Sequence, residues 1–308
     1  MPSISKTTLC FGMATKMTDK IVFFGTENFS ALTLQQLIDN GFTVEAVVTK
    51  PDFKRGRGKV LEEPVVKKIA QENNIPVLQP KNSAELIDLL QPFEKSIGVL
   101  VSYGKIISEE VIKMFEHGII NLHPSLLPKY RGPSPIESAI YNGDTLTGVS
   151  IMLLDKGMDS GPVYISKTVP LNGSENAIIM YEKLGTVGAK LMSDVLPKII
   201  SGDTAPTPQN PAEATYTNII KKEDGLLDPS ARNASELERQ IRAQIIYPKS
   251  FIHFNNERLI IKKAHVSDIK DGLLSIKTID GRYLIIDSLI NKNGKLITAN
   301  DYANSIKN

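Results

Sequence analysis

Three side chains near the middle of this sequence have the types needed to add an amine to an electrophilic carbonyl: Asn121, His123 and Asp159. Such an addition passes through an oxyanion that needs a hydrogen-bond donor, and a proton must leave the attacking nitrogen. Asn121 offers an amide donor that does not ionise. His123 can titrate near neutral pH. Asp159 lies in Gly157-Met158-Asp159-Ser160-Gly161, a glycine-flanked loop, and supplies a carboxylate. Asn121 and His123 are two positions apart at the end of the apolar run 119–122, and on a strand residues i and i+2 face the same way. On residue chemistry alone, an Asn-x-His pair at a strand end is as compatible with a structural role as with catalysis.

The elements that must position these residues follow from the hydrophobic pattern. Short apolar runs at 21–24, 44–48, 97–101, 118–122 and 149–154 alternate with helically spaced stretches such as Leu34, Leu37 and Ile38. Buried runs of this kind, separated by helices, predict a parallel sheet covered on both faces, a Rossmann-like α/β domain over 19–201. In such sheets ligands bind at the carboxyl edge, where Asn121 and His123 would sit. Pro124 and Pro128 stiffen the loop that follows, and Gly132-Pro133 closes it. Residues 202–215 carry three prolines and little apolar surface and read as a linker. Beyond it, after one helical stretch at 235–244, come β-rich runs at 259–261, 273–278, 283–286 and 295–298. Asp280-Gly281 and Asn293-Gly294 are hairpin signals between them. A small, OB-like β-barrel over 216–308 is predicted.

Composition excludes several classes. Hydrophobic content of 41% and charged content of 23% fit a folded globular chain. No apolar run approaches the roughly 18 residues of a membrane span. The single cysteine, Cys10, rules out a disulfide framework or a cysteine-based metal site within one chain and fits a reducing cytoplasm. A net charge of +2 argues against a non-specific nucleic-acid binder but allows one basic face. Residues 207–308 carry 15 Lys and Arg against 12 Asp and Glu, so the positive excess sits in the second domain. Residues 1–18 lack the arginines of a transit peptide and the apolar core of a signal peptide; they read as an extension or an early start codon before Met13 or Met17.

Weaker motifs lead elsewhere. Gly25-Thr26-Glu27-Asn28 lacks the spacing of a dinucleotide or phosphate loop. His117, His253 and His265 have no partners at metal-ligand spacing. Ser160 lies in Asp-Ser-Gly-Pro rather than in a nucleophile elbow.

Longer motifs carry a resemblance. Asn121-Leu-His-Pro-Ser-Leu-Leu-Pro-Lys-Tyr-Arg-Gly132 resembles the signature of enzymes that use 10-formyltetrahydrofolate, and Leu154-Asp-Lys-Gly-Met-Asp-Ser-Gly161 resembles their second motif, whose last aspartate is catalytic. Segments 20–26, 75–80 and 101–107 are similar to the same family, so the likeness extends over nearly the whole chain from Asp19. The resemblance implies Asn121, His123 and Asp159 as the catalytic set. It implies 10-formyltetrahydrofolate as co-substrate, in a pocket of Ser125, Leu126, Leu127 and Pro128 with Ser102, Tyr103 and Gly104. No metal is implied, because the formyl group arrives activated on its carrier.

Within the family, the members that formylate methionyl initiator tRNA are the best match. The loop 49–61 resembles their basic insertion, with Lys54, Arg55, Arg57 and Lys59 within six positions and Gly56 and Gly58 letting the backbone approach phosphate. Segment 216–228 is similar to their entry into a tRNA-binding second domain. The partners implied are initiator methionyl-tRNA and folate, for a monomer with no membrane association. Rival readings are a formyltransferase acting on a nucleotide-linked amino sugar and a non-catalytic folate- or RNA-binding homologue. Glu27 stands where the family usually has proline, and Tyr247-Pro248 where a tryptophan often precedes the proline; the chain has no tryptophan.

Overall fold

The computed structural model describes residues 20–55 and 60–306. The sequence readings of residues 1–18, Arg57 and Lys59 lie outside the described residues.

The first domain is built on a seven-stranded sheet. In chain order come β1 (Lys20–Gly25), α1 (Asn28–Asp39), β2 (Thr43–Val48), the short pair β3 (Phe53–Arg55) and β4 (Val60–Glu62), α2 (Val65–Glu72) and β5 (Val77–Leu78). These are followed by α3 (Ser83–Leu90), β6 (Ile97–Val101), α4 (Glu109–Lys113), β7 (Ile119–His123) and α5 (Pro135–Asn142). The domain ends with β8 (Leu146–Leu153), β9 (Val163–Pro170) and α6 (Ala177–Ile200). The sheet order is β5-β2-β1-β6-β7-β8-β9, and β3-β4 form a separate hairpin. Ile21, Val22, Phe23 and Phe24 of β1 are fully buried, as expected of a strand covered on both faces.

The sheet is parallel over five strands, as expected, and antiparallel at one edge. β5, β2, β1, β6 and β7 are parallel, but β8 pairs antiparallel with β7, and β9 with β8. Most of β9 is exposed or half-buried, so it offers no continuous apolar run. An outer antiparallel strand can face water on one side, which removes the signal that marks buried strands.

Helix α6 starts where the Asn176 side chain accepts from the Ile179 N–H. It buries Met180, Leu184, Gly188, Met192 and Leu196 at helical spacing. Gly188 lets the helix approach closely: a Cβ there would press on the end of the Leu122 side chain on β7, the strand that carries Asn121 and His123.

The stretch read as a linker runs along the first domain. Pro206 and Pro208 flank Thr207, whose own N–H and C=O remain free and bond to Val163 in both directions, at 2.8 and 2.9 Å. Thr215 and Thr217 pair through their backbones with Arg131 at 2.8 Å each.

The second domain contains α7 (Ala234–Ala243), β10 (Phe251–Phe254), β11 (Glu257–Ser267), β12 (Ser275–Lys277), β13 (Tyr283–Ile290), β14 (Leu296–Thr298) and α8 (Ala299–Ser305). The strands form one antiparallel sheet in the order β10-β11-β13-β12, with β14 also on β13. Register irregularities between Ile261 and Ala264 bend it into a curled half-barrel, and no pairing closes it among the described residues. Gly281 and Gly294 take positive φ at the two hairpin turns the sequence signals. Helix α7 opens with a full capping box between Asn233 and Glu236 and buries Leu237 and Ile241 against the sheet. Its other face binds the first domain: Arg239 Nε donates to Tyr141 O at 2.8 Å, and Arg242 Nη1 to Glu175 O at 2.6 Å. No helix among the described residues is long and apolar enough to cross a membrane.

Candidate active site

Strand β7 delivers Asn121 and His123, each about 5% exposed, to the carboxyl edge of the sheet. Leu154 N–H bonds to Ile119 O at the start of β7, yet Asp159, five residues on, reaches His123 at its end. The loop 154–162 therefore folds back along the strand, and Asp159 Oδ2 comes to 3.6 Å from His123 Nδ1. That separation is longer than a hydrogen bond. The other ring nitrogen, Nε2, lies 2.9 Å from Tyr130 O. A carbonyl only accepts, so Nε2 carries the hydrogen and Nδ1 is the edge turned to the site.

The loop after β7 holds both groups. Gly132 N–H donates to Asp159 Oδ2 at 2.7 Å. Tyr130 is anchored by its hydroxyl, which donates to Asp144 Oδ2 at 2.8 Å and accepts from Asn142 Nδ2. Burial pushes this hydroxyl up to about 12, so it stays a neutral donor. Three non-glycine residues here take left-handed backbone: Ser102 (φ 46), Tyr130 (φ 59) and Asp159 (φ 47). Conformations of that kind persist only where surrounding contacts impose them.

Asn121 is different. Its side chain makes no hydrogen bond among the described residues, although it is buried. A buried amide with free donors beside an imidazole is equipped to receive a developing oxyanion.

The residues read as a folate pocket divide into two kinds. Ser102 and Gly104 lie at the end of β6, next to β7, and Lys50 lies against Gly104. The Tyr103 side chain, in contrast, is 1% exposed in the core and packs edge-on against Phe24, with ring centroids 5.8 Å apart. Only the backbone of Tyr103 faces this edge, and its carbonyl accepts from Thr26 Oγ1. Ser125 is likewise occupied: its hydroxyl donates to Lys129 O at 2.6 Å. Leu126, Leu127 and Pro128 are half-buried and offer apolar surface. Ser150 on β8 fastens this loop, since its hydroxyl donates to Ser125 O at 2.7 Å and accepts from Leu127 N–H at 3.1 Å.

Sequence reasoning missed Ser150, and it missed Gln209, whose Nε2 donates to Asp159 O at 2.8 Å and whose Oε1 accepts from buried Arg131. Arg131 lies inside the quoted signature, but nothing in its neighbours marks it as 4% exposed. Gln209 stood in a stretch whose composition signals only a connector.

Lys54 and Arg55 lie on β3, in register with Leu61 and Val60. The base of this hairpin is fixed by Asp52, which accepts from Lys67 Nζ at 2.7 Å and from Gln79 Nε2 at 2.7 Å. The Lys67 ammonium holds the Asp52 carboxyl below the usual carboxylate range.

Gly161 sets a steric limit on the loop that carries Asp159, because a Cβ there would run into the Leu153 carbonyl oxygen. Gly161→Ala is expected to push the loop away from β8 and lower turnover by roughly 10² with little change in folate affinity. Steady-state kinetics with a folate titration check this; unchanged turnover would show that the loop tolerates displacement.

Comparison with known proteins adds the context. Residues 19–196 match the family described as Formyl transferase, and residues 219–307 match Formyl transferase, C-terminal domain. The methionyl-tRNA formyltransferase of Sulfurihydrogenibium sp. (strain YO3AOP1) is 38% identical over 299 residues, 92% of this chain and 95% of its own length. That of Agathobacter rectalis is 39% identical over 254 residues, 82% of each chain. Two solved structures share the fold. The N-formyltransferase from Helicobacter canadensis, in complex with folinic acid and dTDP-3-aminofucose, has a TM-score of 0.67 at 22% identity, covering 88% of this chain and 99% of that one. HypX from Aquifex aeolicus, in complex with tetrahydrofolic acid, has a TM-score of 0.65 at 16% identity, covering 92% of this chain and 46% of that one. With both domains matched in order and relatives above 30% identity over most of its length, the chain belongs to the formyl transferase family.

Proposed function

We propose that this protein transfers the formyl group of 10-formyltetrahydrofolate to the α-amino group of methionyl initiator tRNA, as a monomer in the cytoplasm. The observation that carries the chemistry is the convergence of Asn121, His123 and Asp159 at one sheet edge. The acceptor follows from relatives at 38–39% identity that are named for methionyl-tRNA. The structural neighbour solved in complex with dTDP-3-aminofucose stands at 22%.

In this reading the folate ring lies against Leu126, Leu127 and Pro128, with the backbone of residues 102–104 beside it. The methionine amine attacks the formyl carbon. Asn121 and the Nδ1–H of a protonated His123 donate to the oxyanion. Asp159, facing that same nitrogen, helps move the proton from the amine toward the departing folate nitrogen, directly or through water. Collapse of the intermediate breaks the bond from carbon to folate nitrogen and leaves the formamide on methionine.

The tRNA would meet the hairpin β3-β4 and the second domain. A cleft of about 700 Å³ between α5, α7 and β11 is lined by both signs of charge, with Asp144, Glu175 and Glu238 beside Arg239, Arg242, Lys262 and Lys263. Arg242 is paired with Glu238 and Arg239 Nε is bonded to Tyr141 O, so Lys262 and Lys263 are the cations that would add phosphate contacts there. The deciding test supplies folate with a labelled formyl group and offers two acceptors, charged initiator tRNA and a nucleotide-linked amino sugar. Label in the sugar alone would overturn the assignment; label in neither would support a binding protein.

Arg57 is the local test. An arginine between two glycines can give phosphate a charge-assisted contact that fixes register. Arg57→Ala is expected to reduce transfer to tRNA by about tenfold or more while folate affinity holds, since one interaction with a charged partner is being removed. Lys54, Arg55 and Lys59 should instead show mainly as salt dependence. Equal transfer by mutant and wild type at two salt concentrations would leave the loop a solvated surface feature.

A further inference from the structure

The geometry points to Gln209 as the residue that positions Asp159, with buried Arg131 holding Gln209 in the required orientation. This rests on the reading above that Asp159 takes part in formyl transfer.

The observations form a closed circuit. Gln209 Nε2 donates to Asp159 O at 2.8 Å and to Gly161 O at 2.7 Å. Its Oε1 accepts from Arg131 Nε at 3.0 Å and Nη2 at 2.8 Å. Two hydrogens and two lone pairs are all that a side-chain amide has, so the group is saturated. A flipped amide would set NH2 against the guanidinium and oxygen against two carbonyls, so only one orientation is possible.

Arg131 makes that orientation strict. It is 4% exposed and forms no ion pair with any carboxylate among the described residues; its remaining bond is from Nη1 to the Tyr216 hydroxyl at 3.2 Å. A buried guanidinium with no ion-paired acid among the described residues requires strong neutral acceptors, and the Gln209 oxygen is the principal one. Its chain neighbours act on the same pair of groups: Tyr130 O receives His123, and Gly132 N–H holds the Asp159 carboxylate. The carboxylate is thus fixed from residue 132 and its backbone from residue 209. Asp159 has φ 47, a conformation a non-glycine residue keeps only under external restraint, and Gln209 bonds on both sides of Ser160 to supply it.

A purely architectural role, tying segment 207–217 to the first domain, is separable from positioning by one substitution. In Gln209→Glu the bond to Arg131 becomes charge-assisted and stronger, so the architectural link is kept. The donor facing the Asp159 and Gly161 carbonyls is replaced by a negatively charged oxygen. If Gln209 positions Asp159, Q209E should still fold cooperatively, the stronger bond to Arg131 offsetting the lost donor, yet kcat should fall about thirtyfold or more through misplacement of the catalytic group. KM for folate and for charged tRNA should stay within about threefold. Adding Q209E to Asp159→Asn should slow that variant by less than about threefold, because both act through one group. Should Q209E fail to fold, Gln209→Met keeps the volume without hydrogen bonds, and the same pattern of kcat, KM and double-mutant coupling is expected.

A folded Q209E or Q209M with kcat within about twofold of wild type would overturn the inference. So would a full multiplicative loss in the double mutant. The underlying reading fails differently: wild type that formylates no amine, or Asp159→Asn with normal turnover, would remove the basis without reference to Gln209.

Discussion

Asn121→Ala is expected to lower kcat by roughly 10² to 10³ while folate still binds, the loss measured when one oxyanion donor is removed from other active sites. The structure makes this a clean substitution. The amide bonds to nothing else among the described residues, so its removal orphans no partner and should leave stability close to wild type. Asp159→Asn is expected to lose a comparable factor for a different reason. An asparagine oxygen can still accept from Gly132 N–H, so the loop keeps its place and only the charge opposite His123 is lost. Single-turnover rates with pre-bound folate, measured beside thermal unfolding, check both. Near-normal turnover in either variant would remove that residue from the catalytic set.

Leu127→Arg is expected to weaken folate binding by at least about 10², with the fold intact. Leu127 is half-buried in the loop after β7, and the bonds that fix the loop use its backbone, through Ser150, and the hydroxyl of Ser125. The side chain is therefore free to be replaced without unfastening the loop. A guanidinium there withdraws apolar surface from a flat ring and adds a charge that must be desolvated on binding. Calorimetric titration with a stable formylfolate analogue gives the affinity. A folded variant that binds as tightly as wild type would place the pocket elsewhere on the edge.

What could be read from the sequence follows the reach of each signal. β1, β2, β6 and β7 are apolar runs buried on both faces, and such runs announce themselves. β9 is mostly solvent-facing and has no comparable mark. The two Gly-containing turns of the second domain were visible, whereas the turn at Asn255 and Asn256, where both residues take positive φ, joins β10 to β11 without a glycine. At the site, Asn121 and His123 are two apart on one strand, and their common direction follows from the pleat. The approach of Asp159 does not, because it depends on a loop doubling back along β7. The sequence neighbours of Tyr103 point to the pocket, but its ring turns into the core, since a bulky apolar side chain at the end of a buried strand gains more there. Gln209 could not be found in advance at all. Its role arises from bonds to residues 48 to 78 positions away, and its immediate neighbours describe only a proline-rich connector.

The seam between the two domains has a consequence for anyone cutting or exchanging them. A fragment ending at residue 201 would keep every strand of the first sheet, yet it would lose the pairing of Thr215 and Thr217 with Arg131 and all four bonds of Gln209. Chimeras joined at that point would inherit an unbraced Asp159 loop whatever domain was grafted on. Joined after residue 217, they would carry the brace with them. The structural border of the first domain thus lies 17 residues beyond the end of α6 (from residue 200 to residue 217), inside what looks like mere tether.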